Sequence, residues 1–134
     1  KGEYIAGQQP GAFGSTRTPA AAPISDTYIR QIEGGYAMLL HRISGTNHTL
    51  LLKYDWFDPN TKVSSDDLGK SNSRLSKTEV AYTNLALGWM WDVDSNIRLT
   101  VYYDMPKNET SQNLTGYSEE LKDNILTLRM QYKF

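Results

Sequence analysis

From Leu126 to Phe134 the chain alternates without a break. Leu126, Leu128, Met130, Tyr132 and Phe134 share one parity, and Thr127, Arg129, Gln131 and Lys133 share the other. Such a pattern fits an extended strand with one apolar and one polar face, because successive strand side chains point to opposite sides. Ile97, Leu99, Val101, Tyr103 and Met105 alternate in the same way with Arg98, Thr100, Tyr102 and Asp104. So do Leu50, Leu52, Tyr54 and Trp56 with Thr49, Leu51, Lys53 and Asp55, and Leu85, Leu87, Trp89 and Trp91 with Asn84, Ala86, Gly88 and Met90. In a further segment Tyr36, Met38 and Leu40 are expected on the apolar face, opposite Glu33, Gly35, Ala37, Leu39 and His41. The pattern predicts an all-β chain with strands over residues 3–8, 30–42, 48–57, 79–91, 97–105 and 123–134.

The connections set the topology. Ile43-Ser44-Gly45-Thr46-Asn47 and Asp92-Val93-Asp94-Ser95-Asn96 read as five-residue loops. The stretches near 9–27, 58–77 and 106–122 are long and rich in Ser, Thr, Asn, Asp, Gly and Pro. Short and long connections therefore alternate, as between antiparallel up-and-down strands of a transmembrane barrel, whose periplasmic turns are short and extracellular loops long. On that assignment the last strand runs inward and leaves Phe134 at the periplasmic rim. Trp89, Trp91, Tyr132 and Phe134 then gather at one end of the apolar faces, and Tyr54, Trp56 and Tyr103 at the other. Two aromatic girdles around Leu, Val and Met suit a bilayer, since amphipathic rings settle at headgroup level.

Composition removes several alternatives. The formal net charge of −1 gives no basic surface for nucleic acid. Without cysteine there is no disulfide framework, thiolate metal site or cysteine nucleophile. No apolar run approaches the ~20 residues of a membrane helix, whereas a membrane strand needs only ~9–11 residues, every second one apolar. The chain starts at Lys1 without methionine, as a processed or truncated chain would.

The terminal run from Asp123 to Phe134 resembles the last strand of outer-membrane proteins, with a final aromatic, an aromatic two residues earlier and alternating apolar residues. That resemblance implies an assembly signal in Leu128, Met130, Tyr132 and Phe134, read by the barrel assembly machinery. Lys53-Tyr54-Asp55-Trp56-Phe57-Asp58-Pro59-Asn60-Thr61, Leu85-Ala86-Leu87-Gly88-Trp89 and Leu99-Thr100-Val101-Tyr102-Tyr103-Asp104 are similar to the phosphate-selective porin O and P family, a likeness covering roughly 28–134. It implies a trimeric outer-membrane barrel of about 16–18 strands, within the range of such barrels. This chain would be its C-terminal portion, surrounded by outer-membrane lipid and passing phosphate-like anions.

On this register the polar face carries Lys53, Arg98, Arg129 and Lys133 against Glu33, Asp55 and Asp104. The candidate pore wall is Lys53, Asp55, Arg98, Asp104, Arg129, Gln131 and Lys133, because charges lining a passage set its ion selectivity. The plain alternative is that these charges pair across strands and keep the wall wet. Passive diffusion of small hydrophilic solutes or ions is the expected function, without catalysis or cofactor. His41 and His48 are expected on opposite faces, which argues against a metal pair. Asp55, Asp58, Asp66 and Asp67 lack EF-hand spacing. Asn47-His48-Thr49, Asn108-Glu109-Thr110 and Asn113-Leu114-Thr115 fit the glycosylation tripeptide, but the first lies in a turn and reads as chance. Gly34, Gly35 and Gly88 suggest close approach within strands. A different class of protein, a soluble lipocalin-like barrel, would turn the Leu, Val and Trp faces inward around a small apolar ligand.

Overall fold

The computed structural model describes residues 1–11, 28–121 and 123–134. The polar stretch expected near 9–27 lies mostly outside them. Six strands pair in chain order: β1 (Gly2–Pro10), β2 (Ile29–Arg42), β3 (His48–Asp58), β4 (Tyr82–Asp92), β5 (Ile97–Asn108) and β6 (Ile125–Tyr132). Every neighbouring pair is antiparallel. The result is an all-β up-and-down sheet, open rather than closed into a barrel, with β1 and β6 at its edges. The β2–β3 and β4–β5 turns lie at one end, the turn end. The C-terminal ends of β1, β3 and β5 and the starts of β2, β4 and β6 gather at the other, the loop end.

Local chemistry explains both turns. The Ile43 amide donates to the His48 carbonyl at 3.0 Å and closes a four-residue loop, Ser44–Asn47. Gly45 takes the left-handed conformation there, with φ of 72°. The Thr46 hydroxyl donates to the Ile43 carbonyl at 2.9 Å and accepts from the His48 amide at 3.2 Å. In the second turn the Val93 amide donates to the Ile97 carbonyl at 2.9 Å, closing a three-residue loop, Asp94–Asn96. Asp94 Oδ1 accepts from the Asn96 and Ile97 amides at 2.7 and 2.9 Å, the local pairing that favours Asp in turns.

Loop length decides which face each strand shows. Three- and five-residue loops give the same parity, so β4 and β5 keep the facing the sequence predicts, although the shorter loop sets Trp91 opposite Leu99 and Trp89 opposite Val101. A four-residue loop reverses it. In β2, Leu39 lies opposite Leu52 and His41 opposite Leu50, while Tyr36, Met38 and Leu40 lie opposite Asp55, Lys53 and Leu51. The expected facing of β2 is therefore inverted: a one-residue change in pairing moves every side chain of the strand to the other side. Two contacts favour the observed register. Lys53 Nζ lies 5.2 Å from the Tyr36 ring centre, and Trp56 covers Gly35 so closely that a Cβ there would come within 2.7 Å of its ring.

Strand limits also differ from expectation. Residues 79–81 precede β4, because Ser76 starts a 3-10 turn, Lys77–Glu79, through a reciprocal capping box with Glu79. β5 continues through Pro106 to Asn108, and β6 covers only Ile125–Tyr132 of the expected 123–134. Among the described residues the buried hydrophobics are Tyr28, Leu68, Leu75 and Ala86, and only Ala86 belongs to a strand. The sheet has almost no core of its own.

Candidate functional site

Pairing joins the apolar parities into one continuous face. Across the sheet Leu39, Leu52, Leu87, Tyr103 and Leu126 form one row. His41, Leu50, Trp89, Val101 and Leu128 form the next toward the turn end, followed by His48, Trp91, Leu99 and Met130. Large side chains in these rows are open to the surroundings: Leu87 is 49 % exposed and Leu128 72 %. At the turn end Trp89 and Trp91 stack with centres 6.2 Å apart, and His48 lies 5.5 Å from Trp89. Tyr132 and Phe134 meet edge to face at 5.1 Å. Nearer the loop end Tyr54 stacks on Trp56 at 6.1 Å. Tyr103 sits in the Leu87 row, and its hydroxyl accepts from Asn124 Nδ2 at 3.0 Å just before β6.

The opposite parity is polar. Lys53, Asp55, Arg98, Asp104, Arg129 and Gln131 all lie on it, and Lys133 continues it beside Asn96. Lys53 pairs with Asp55 at 2.5 Å, and Arg98 pairs with Asp92 at 2.5 Å. Asn84, between Asp55 and the β5 strand, donates to Asp104 at 2.9 Å. The inverted β2 register changes the charge inventory: Glu33 leaves this face and lies beside Asp58 on the other, beyond the Trp56 position, while Arg42 joins opposite Thr49. The same inversion puts His41 and His48 on one face, correcting their expected separation. Among the described residues no group of three or more His, Asp or Glu side chains could hold a metal. The loop acids are engaged locally: Asp58 accepts from the Asn60 amide, and Asp67 from Lys70 and Ser64.

Glycines on both faces admit rings. Phe57 lies over Gly34 and Tyr102 over Gly88 on the polar side, as Trp56 lies over Gly35 on the apolar side. Each ring occupies the space where a Cβ would stand, the close approach glycine in a strand allows.

The most deeply buried large side chains, Arg30, Leu68 and Asn60, lie at the start of β2 and in the connection after β3. Arg30, at the loop end of the polar face, is 2 % exposed and donates from Nε to Glu79 Oε1 at 2.9 Å. Its Nη2 also bonds Glu79 and reaches Thr78 Oγ1 at 3.4 Å. No alternation in the sequence marks this pair, and Glu79, expected in a strand, stands in the 3-10 turn before β4. The Ser76-Lys77-Thr78-Glu79 spacing is the one legible signal, because Ser followed three residues later by Glu marks a capping box. Tyr4 was also missed: it lies opposite Gly35, beside Trp56 on the apolar face, in a strand with little alternation.

No protein-family model, curated protein or solved structure matches this chain.

Proposed function

We propose that this chain is a sector of an outer-membrane β-barrel wall and that its polar face lines a passive channel for small hydrophilic solutes or ions. The observation that carries the proposal is the continuous exposed apolar face backed by a face of ion pairs and polar side chains. A water-soluble protein seldom leaves so large a contiguous apolar surface open. A bilayer covers such a surface without further partners, and β2 to β5 each pair with a neighbour on both sides, as backbone in a bilayer requires. At ~3.3 Å per residue an eleven-residue strand such as β3 is roughly 36 Å long, and a tilt of ~45° brings its height close to the ~25 Å apolar band.

Six strands fall short of the roughly eight that membrane barrels need, so further strands joined at the β1 and β6 edges complete the wall. In this reading the turn end faces the periplasm and the loop end the exterior. Leu128, Met130, Tyr132 and Phe134 present the assembly machinery with its signal. The resemblance to phosphate-selective porins supports a trimer and a preference for phosphate-like anions.

The test is to express the complete protein containing this chain, fractionate the cells, and compare boiled with unboiled detergent extracts on a gel. The expected result is outer-membrane recovery with a heat-dependent shift in mobility, followed by ion conductance in planar bilayers. A soluble product with no shift overturns the proposal and favours a soluble barrel with an apolar interior.

A further inference from the structure

The 59–81 connection is an ordered unit rather than an open loop. Leu68 and Leu75 are buried within it, and the Gly69 amide donates to the Leu75 carbonyl at 3.0 Å. The Ser73 hydroxyl bonds the Asp67 carbonyl at 2.9 Å and accepts from the Leu75 amide at 3.2 Å. The unit is fastened on two sides. Toward β2, Glu79 holds buried Arg30, the Arg74 carbonyl accepts from the Tyr28 hydroxyl at 3.3 Å, and the Thr61 amide donates to the Gln31 carbonyl at 2.8 Å. Toward the β5–β6 connection, the buried Ser111 hydroxyl donates to the Leu68 carbonyl at 2.9 Å and Asn113 Nδ2 to the Asp66 carbonyl at 2.9 Å.

The Arg30 attachment lies on the polar side. Arg30 pairs with Gln9 on the parity that carries Tyr36 and Met38, and so belongs to the polar face. A cavity of about 550 Å³ separates Pro59, Thr78 and Val80 of the unit from Phe57, Tyr82 and Asn108 of the same face. The unit thus reaches from β2 to the connection after β5, across the loop-end opening of the polar face.

We infer that 59–81 is a braced cover over the loop-end mouth of the channel and that the Arg30–Glu79 pair sets how much of that mouth stays open. This rests on the channel reading above. A cover tied at one side only would swing on its strand ends. Ties at both sides fix it, and the buried pair is the tie that needs both partners, since removing one member of a buried ion pair is strongly destabilising.

The experiment is single-channel recording from the complete protein, wild type and Glu79→Gln, in planar bilayers. The expected outcome for Glu79→Gln is a conductance at least about 1.5-fold higher, with added open-state noise from a moving cover. Asp66→Cys with Asn113→Cys places a disulfide-forming pair across the second tie, and none of the 134 residues here supplies a competing cysteine. Oxidation of that pair in the Glu79→Gln background should restore the quiet wild-type level, and reduction should release it. If Glu79→Gln does not assemble, replacing 63–76 by a short Gly-Ser turn supplies the comparison, with a larger conductance expected. Wild type without conductance sinks the channel reading itself. A conducting wild type whose level is unchanged by Glu79→Gln, or by the replacement, overturns the cover.

Discussion

The sheet and the 59–81 unit distribute their residues in opposite ways. The strands leave many Leu, Ile and Tyr side chains and Met130 exposed, and among their hydrophobic residues bury only Ala86. The unit and its attachments, with fewer apolar residues, bury Leu68, Leu75 and Tyr28 and enclose an ion pair, Arg30 with Glu79. One region is arranged as though its surroundings were apolar, and the other packs as a small water-soluble protein does. Within a single chain, the difference is what a membrane boundary would produce: strands that find their apolar partner in lipid, and a loop cluster that must build a core because it stands in water.

The ion pair gives the largest expected effect. Glu79→Leu takes the carboxylate away from buried Arg30, and removing one partner of a buried pair costs about 3–5 kcal/mol. In the complete protein this should appear as rapid protease cleavage within 59–81 while the sheet stays resistant. Arg30→Met with Glu79→Leu should recover most of the protection, because apolar side chains of similar volume often replace a buried pair with little loss. A double variant as susceptible as the single one would show that the pair contributes geometry that apolar packing cannot supply. Loss of the whole sheet with the loop would erase the contrast between the two regions.

The apolar face gives the next. Leu87 stands in the middle row, between Leu52 and Tyr103. Leu87→Arg should destabilise the protein folded in lipid vesicles by about 2–4 kcal/mol, the range for arginine near the bilayer midplane. Thr127→Arg, on the polar face opposite Tyr102, should be close to neutral in the same denaturant titration. Equal effects at the two positions would mean that the faces are not lipid and water sides.

Gly35→Val comes third, at about 1–3 kcal/mol in that titration, as overpacking usually costs. An added Cβ would meet the Glu3 carbonyl oxygen at 2.6 Å and the Trp56 ring at 2.7 Å. Pairing this change with Trp56→Ala should relieve only the ring's part of the clash. Full relief would place the constraint in the ring alone and leave the β1 backbone free to shift.

How far the sequence foretold this arrangement depends on where each signal resides. Alternation in β3, β4, β5 and β6 is local, so their faces were legible from Leu50 to Phe134. The facing of β2 was not, because Leu39 and Leu40 sit on opposite parities and the deciding quantity is a turn of four residues rather than five. Cross-strand contacts then select the register: Lys53 over Tyr36 and Trp56 over Gly35. The candidate wall residues Lys53, Asp55, Arg98, Asp104 and Arg129 follow directly from parity, whereas Arg42 and Glu33 changed sides with β2. Arg30 and Glu79 are 49 positions apart, and no periodic signal joins residues at that separation. Only the capping box at Ser76 and Glu79 marked their neighbourhood.

The smallest expected effect separates the inside of the 59–81 unit from its rim. Lys70 donates to Asp67 at 2.9 Å on the exposed side. The Lys70 ammonium, and then the Ser64 hydroxyl, hold the Asp67 carboxyl below its ordinary range, and Asp67 raises the Lys70 ammonium above its own. A carboxyl lowered by folding adds stability above its unfolded pKa and loses it as pH falls through the folded value. An ammonium raised by folding adds stability below its unfolded pKa and loses it as pH rises through the folded one. The pair therefore favours the folded rim through the neutral range and at neither extreme. Both side chains are half in water, where such pairs contribute little. Lys70→Met should move the Asp67 titration, followed by NMR, back toward ordinary carboxylate values. Protease cleavage within 59–81 should change far less than in Glu79→Leu. If Lys70→Met instead exposed the loop as fully as Glu79→Leu, the rim would hold the unit together as firmly as its buried pair does. The distinction between a packed interior and a solvated edge would then fail for this region.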